Sequence, residues 1–169
     1  MIAWTTVRTN LGPFHVAALG DAIIETSLPG VAADAFGSEV AARWPGETLQ
    51  KDPHHPILLQ ATRELEEYAA GRRTDFTVKT KAKGTEFQRR VWKELAAIPY
   101  GEVRSYGEVA EAVGSPGASR AVGQANHRNP VAPFIPCHRV VTSDGKLGGY
   151  GGGVELKQKM LALEGVSLG

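Results

Sequence analysis

The first thirty residues alternate between apolar and polar positions. Ile2, Trp4, Thr6 and Arg8 begin a period-two run that lasts to Thr9, and Asn10-Leu11-Gly12-Pro13 breaks it. Phe14 to Leu19 is a second such run, Gly20-Asp21 a tight turn, and Ala22 to Leu28 a third run, closed by Pro29-Gly30. Alternation marks strands and Gly, Pro, Asn and Asp mark the turns between them, so this segment predicts an antiparallel meander of three strands. Residues 31–43 are alanine-rich and predict a helix. Residues 44–56 hold Pro45, Pro53 and Pro56 and predict a loop. Ile57, Leu58, Ala61, Leu65 and Tyr68 share one face of a predicted helix over residues 57–70, with Gly71 where a C-terminal cap belongs. Phe76 to Thr80 predicts a further short strand, and residues 81–84 a linker.

From there the period lengthens to that of helices. Thr85-Glu-Phe-Gln88 has the form of a capping box, and Phe87, Val91, Leu95 and Ile98 follow at helical spacing until Pro99-Tyr100-Gly101. Ser105-Tyr-Gly-Glu108 is a second capping box, for a short helix stopped by Gly114. Ser115 and Pro116 predict the start of a third helix, from Pro116 to about Asn126. That helix is nearly bare of bulk, presenting a smooth face with one long cation, Arg120. A last helix spans about Val154 to Leu163. The predicted fold is α+β. A small N-terminal domain, residues 1–81, has a three-stranded antiparallel sheet and helix. A mostly helical domain, residues 82–169, carries a helix-turn-helix and a loop dense in reactive side chains.

Composition narrows the class. The chain has 169 residues, 42% hydrophobic and 22% charged, which fits a folded protein rather than a disordered one. No run approaches the ~18 apolar residues of a membrane span, and residues 1–10 lack the apolar core of a secretion signal. Cys137 is the single cysteine, so no internal disulfide forms and no cysteine-rich zinc site assembles. The expected setting is reducing and cytoplasmic. Residues 1–81 carry a net charge of −2 and residues 82–169 a net of +3. The imbalance is small: it points a polyanion to the second half, and a solvated surface explains it equally well.

Two loops hold the chemistry. In Asn129-Pro-Val-Ala-Pro-Phe-Ile-Pro-Cys-His-Arg-Val-Val141, three prolines stiffen the approach to Cys137, and apolar neighbours place the thiol at the edge of a core. A thiol there stays protonated unless a base or positive field is near. His138 is adjacent, but side chains of an extended segment point to opposite faces, so linking the two needs a local turn or a bridging water. Arg139 supplies positive field or holds the loop to a carboxylate. Ser143 to Gly153 contains six glycines and Tyr150, and reads either as a flexible surface loop or as a pocket lid whose backbone approaches a flat ligand. It lacks a P-loop ending and a dinucleotide fingerprint. The smooth second helix of the helix-turn-helix reads either as close helix packing or as a surface lying flush in a groove, where one arginine can be pushed between bases.

Pro136-Cys-His-Arg-Val140 resembles the active-site signature of the O6-alkylguanine-DNA alkyltransferases. Phe87-Gln-Arg-Arg-Val-Trp92, Ile98-Pro-Tyr-Gly-Glu102, Ser105-Tyr106, Ser119-Arg-Ala-Val-Gly123, Asn129-Pro130, Gly148-Gly-Tyr-Gly-Gly152 and Leu163-Glu-Gly165 stand in the same order and spacing. The resemblance is strong over residues 84–165. It implies direct, stoichiometric repair of double-stranded DNA. An alkyl group passes from O6 of guanine, and from O4 of thymine, to Cys137, and the protein is spent. By matched position, His138 activates Cys137 through a water, Glu164 orients His138, and Asn129 holds the bend behind the helix-turn-helix. Arg120 fills the gap left by a flipped nucleotide, with Ala118, Ser119, Ala121 and Gly123 completing the DNA face. Tyr106 crowds the phosphate and donates to the base. The carbonyls of Cys137 and Val140 accept from the guanine amine, and Tyr150 and the Gly151 N–H meet the ring and O6.

The resemblance implies no cofactor, metal or membrane, and a monomer, with cooperative assembly on DNA left open. Gly151 stands where some relatives carry a hydroxyl residue, and His127-Arg128 where relatives often have smaller pairs, so contacts around 127–128 do not carry over. The alternative is a non-catalytic sensor of alkylated DNA, which keeps Arg120 but has no need of Cys137. A Cys-His hydrolase needs an oxyanion hole and a facing base, for which an adjacent Cys-His pair is awkward.

Overall fold

The structure is a computed structural model and describes residues 1–168. The chain forms two compact units, Met1–Lys83 and a second beginning at Gly84. Its class is α+β, with a sheet in the first unit and mainly helices in the second.

In the first unit, β1 (Ile2–Thr9), β2 (Gly12–Leu19) and β3 (Ala22–Ser27) form the expected antiparallel meander. The sheet has a fourth strand, β4 (Leu49–Lys51), running parallel to β1 and giving the order β3-β2-β1-β4. Three residues between prolines are too few to display a period, so this strand is silent in the sequence pattern. Helix α1 (Ala33–Arg43) buries Phe36 and Val40 against Ile2, Ala17 and Ile24, and Trp4, Leu19, Trp44 and Leu49 pack around them. Helix α2 (Pro56–Ala69) lies against β1, β2 and β3 through Leu58, Ala61, Leu65 and Tyr68. The His55 side chain caps it, accepting from the Ile57 N–H. The predicted strand over Phe76–Thr80 is reduced to one bridge, Thr80 to Ile23. Glu64 holds that segment: its buried carboxylate accepts from the N–H and hydroxyl of Thr77 and from the Val78 N–H.

In the second unit, both predicted capping boxes are made. Thr85 caps α3 (Glu86–Ala96) and Ser105 caps α4 (Tyr106–Ala112). Helix α5 (Ser119–His127) starts later than its sequence predicts. Gly117 adopts φ +86°, outside the helical region, and neither Ser115 nor Pro116 begins the helix. Helix α6 spans Val154–Leu163, and Glu164 is its C-cap. Three interactions fix the helices to one another. The Trp92 indole of α3 donates to the Ala125 carbonyl of α5 at 2.8 Å. The Arg90 guanidinium donates to the Val113 carbonyl behind α4. A pair of two-residue strands, β5 (Arg104–Ser105) and β6 (Val140–Val141), runs parallel with Arg104 opposite Val140. Gly84 is fixed by crowding, since a Cβ there would lie 2.4 Å from the Trp92 ring. No helix among the described residues is long and apolar enough to cross a membrane.

Candidate active site and nucleic-acid interface

Residues Cys137–Arg139 form one turn of 3-10 helix between the proline-rich approach and β6. This is the local turn that the extended reading of Cys137-His138 lacks. Residues 130–141 are all buried. Asn129 shapes the approach from inside: its Nδ2 donates to the Ile135 carbonyl at 2.8 Å and its Oδ1 accepts from the Val131 N–H at 3.1 Å. Burial pushes the Cys137 thiol above its ordinary pKa, while the Asn129 side chain and the charge of Lys157 pull it down.

The other two residues of the turn, His138 and Arg139, join a buried polar network. The His138 Nε2 is 2.7 Å from Glu164 Oε2. Arg139 donates to the same carboxylate from Nε at 2.8 Å and from Nη2 at 3.1 Å, and to the Ile98 carbonyl at 2.7 Å. His138 and Glu164 are sealed from solvent and Arg139 nearly so. Burial pushes the imidazole below its ordinary pKa, and the bond to Glu164 only partly opposes this. A neutral ring facing an ionised carboxylate keeps its proton on Nε2 and its lone pair on Nδ1, the form a proton acceptor needs. Of the two readings of Arg139, the structure has the second: its charge is spent on Glu164.

The loop after β6 folds over this site. Tyr106, the first residue of α4, is half-buried, and burial raises its pKa, to which Cys137 adds. Gly148 has φ +72°, and a Cβ there would lie 3.2 Å from the Tyr106 hydroxyl. Tyr150 stacks edge-on to His138 at 6.5 Å, and its hydroxyl reaches the Met160 sulfur. Gly151 is exposed.

Residues 86–166 match the model of the 6-O-methylguanine DNA methyltransferase DNA binding domain, and residues 2–82 that of the 6-O-methylguanine DNA methyltransferase ribonuclease-like domain. A methylated-DNA–protein-cysteine methyltransferase of Mycobacterium bovis is 40% identical over 164 residues, covering 97% of this chain and 93% of the relative. The chain belongs to the 6-O-methylguanine DNA methyltransferase family. A Mycolicibacterium paratuberculosis relative of the same name is 58% identical over 104 residues, 62% of this chain and 63% of that one. The crystal structure of Mycobacterium tuberculosis OGT in complex with DNA is similar with TM-score 0.83 and 40% identity, covering 96% of this chain and 92% of that one.

Within this methyltransferase-family chain, the matched residues fall into two groups. Cys137, His138, Glu164 and Asn129 converge on the 3-10 turn, with Val140 directly after it and Tyr150 beside His138. Arg120 stands exposed in the first turn of α5, with Ser119, Ala121 and Gly123 partly exposed along it and Ala118 at its N-cap. Two further residues have no counterpart in the sequence reading. Lys157 is wholly buried, and its Nζ donates to the carbonyls of Val140 at 2.7 Å, Gly149 at 3.2 Å and Leu147. It staples the glycine-rich loop to β6, and burial lowers its pKa to about 8. Asn126 of α5 donates to the Cys137 carbonyl at 3.1 Å, and the Val140 N–H bonds to that same carbonyl. Both lone pairs of the Cys137 carbonyl are thus engaged. A lysine in an amphipathic helix and an asparagine near a helix end usually face water, so neither gave a sequence signal.

Proposed function

We propose that this protein repairs double-stranded DNA by taking an alkyl group from O6-alkylguanine, or from O4-alkylthymine, onto Cys137, once per molecule. What carries the reading is the buried bond to Glu164 from His138, the residue that follows Cys137 in the 3-10 turn. Activation passes the Cys137 proton through a water to His138 Nδ1, while Glu164 stabilises the imidazolium that forms. The thiolate then attacks the alkyl carbon in line with the C–O6 bond. A C–S bond forms, the C–O6 bond breaks, and the departing guanine takes up a proton, for which Tyr106 is the donor. The thioether has no leaving group within reach, so the sulfur is consumed.

Recognition divides between two surfaces. Arg120 fills the stack while the target base turns into the pocket. There Tyr150 and the Gly151 N–H frame the ring and O6. The Cys137 carbonyl already accepts two bonds and the Val140 carbonyl one from Lys157, so the guanine amine falls to the second lone pair of the Val140 carbonyl.

The test is mass spectrometry of the protein after incubation with duplex DNA containing O6-methylguanine. The expected result is one added methylene on the peptide bearing Cys137, saturating at one equivalent and abolished in Cys137→Ser with DNA binding kept. Folded protein that acquires no adduct yet binds the lesion is the sensor of the alternative reading. Release of product over many turnovers is the hydrolase.

A further inference from the structure

Helix α5 has a polar edge. Arg120, Gln124 and His127 are all exposed, while Val122, Ala125 and Asn126 are buried. At ~100° per residue the three exposed positions fall within about 60° of one another around the axis. The helical rise sets Gln124 about 6 Å and His127 about 10 Å beyond Arg120. Among the described residues no hydrogen bond or ion pair occupies any of these three side chains. The helix carries no Asp or Glu, and Arg128 follows it as the C-cap. The face is therefore not bare apart from one cation. It is a row of three long polar side chains set on small neighbours.

We propose that Gln124 and His127 extend the DNA contact of α5 past Arg120, Gln124 on base edges and His127 on a phosphate. The inference rests on the repair reading above. With Arg120 at the gap left by the extruded nucleotide, spacings of ~6 and ~10 Å amount to roughly two and three base-pair steps along the duplex. A glutamine both donates and accepts, so it bonds the acceptors that A·T pairs show in the minor groove and also the amino group that G·C pairs add. Such a side chain adheres without demanding a sequence, which suits a protein that must find a lesion in any context. An imidazole N–H on a phosphate likewise fixes register without reading sequence. DNA is the occupant because the row continues from Arg120, because its helix holds no carboxylate, and because the 40%-identical relative was crystallised with DNA.

The test uses the full chain with Gln124→Ala and His127→Ala combined. Both positions are exposed and alanine favours helix, so folding is retained. Two quantities are compared with the wild type: affinity for a short undamaged duplex, and the ratio of transfer rate on O6-methylguanine duplex to that on a free O6-alkylguanine base. The expected result is a fall of at least about three-fold in both. A smaller fall in affinity, or an unchanged ratio, overturns the inference. A wild-type protein that neither binds duplex nor takes up the alkyl group overturns the repair reading instead, so the two failures are distinct.

Discussion

Replacing Glu164 with glutamine keeps the volume of the side chain and removes its charge. Glu164 Oε1 accepts from Arg139 Nε, and Oε2 from His138 Nε2 and Arg139 Nη2. A glutamine has only one oxygen to offer. If that oxygen stays on Arg139 Nε, an N–H turns toward both His138 Nε2 and Arg139 Nη2. The imidazole must then accept at Nε2 and carry its proton on Nδ1, which removes the base from the side needed for activation. The Arg139 side chain, 7% exposed, loses its counter-charge. Breaking a buried pair by removing one partner costs about 3–5 kcal/mol. The amide oxygen recovers part of this, so a loss of about 3 kcal/mol is expected, or roughly 10 °C in melting temperature. Alkyl transfer should slow by about 100-fold or more, the range of a lost general base. Urea unfolding followed by tryptophan fluorescence measures the first, and single-turnover transfer the second. The double variant Glu164→Gln/Arg139→Met removes both charges and should recover much of the stability but none of the transfer. A loss below about 1 kcal/mol for Glu164→Gln, with no recovery in the double variant, would falsify the assignment of Glu164 as counter-charge to a buried arginine.

Three further outcomes follow from single residues. Burial raises the Glu25 carboxyl from 4.5 to about 7 despite its bond to Arg43, so the folded state favours the protonated form. That stability is full below pH ~4.5 and lost as pH rises to ~7, about 3 kcal/mol in all. Urea unfolding at pH 5 and pH 8 should therefore show wild type losing ground to Glu25→Gln as pH rises; the opposite slope sinks the assignment. Gly148→Ala forces a side chain into positive φ and against the Tyr106 hydroxyl. Transfer should slow while thermal unfolding moves by only roughly 1 kcal/mol, and an unchanged rate means that Tyr106 need not sit where it does. Asn126→Leu removes the donor to the Cys137 carbonyl and also an Oδ1 buried with no partner among the described residues. Its unfolding midpoint should not fall, because an unpaired buried oxygen is itself costly. Its transfer rate should fall nonetheless, and a midpoint that drops in proportion to the rate makes Asn126 a packing residue only.

What the sequence discloses follows from how locally each feature is encoded. Each strand of the β1 to β3 meander and each of the two capping boxes is written within eight residues or fewer, and all are present. Strand β4 and the β5–β6 pair are two or three residues long and exist only because a distant strand lies alongside, which no local period records. The late start of α5 turns on Gly117 taking a positive φ, which overrides the Ser-Pro start signal. In the site, Cys137, His138 and Glu164 come from motifs. The partners that complete them, Arg139 on Glu164 and Asn126 and Lys157 on backbone carbonyls, join segments 11 to 25 residues apart through side chains that composition assigns to solvent.

The two short strands have a meaning for how such a protein can change over evolutionary time. Ser105 caps the first helix of the helix-turn-helix, and the residues facing Arg104 and Ser105 are those that leave the cysteine turn. Beside the Asn126 side chain on the Cys137 carbonyl, the ladder is thus a ruler between α4 and the cysteine turn made of peptide groups, which every residue possesses. On the proposed repair reading, mutation can rewrite the exposed positions of α4 and α5, and with them the grip on DNA, while the ladder between α4 and the cysteine turn stays as it is. Proline at Val140, Val141, Arg104 or Ser105 is the substitution this ruler does not survive wherever it removes a ladder N–H.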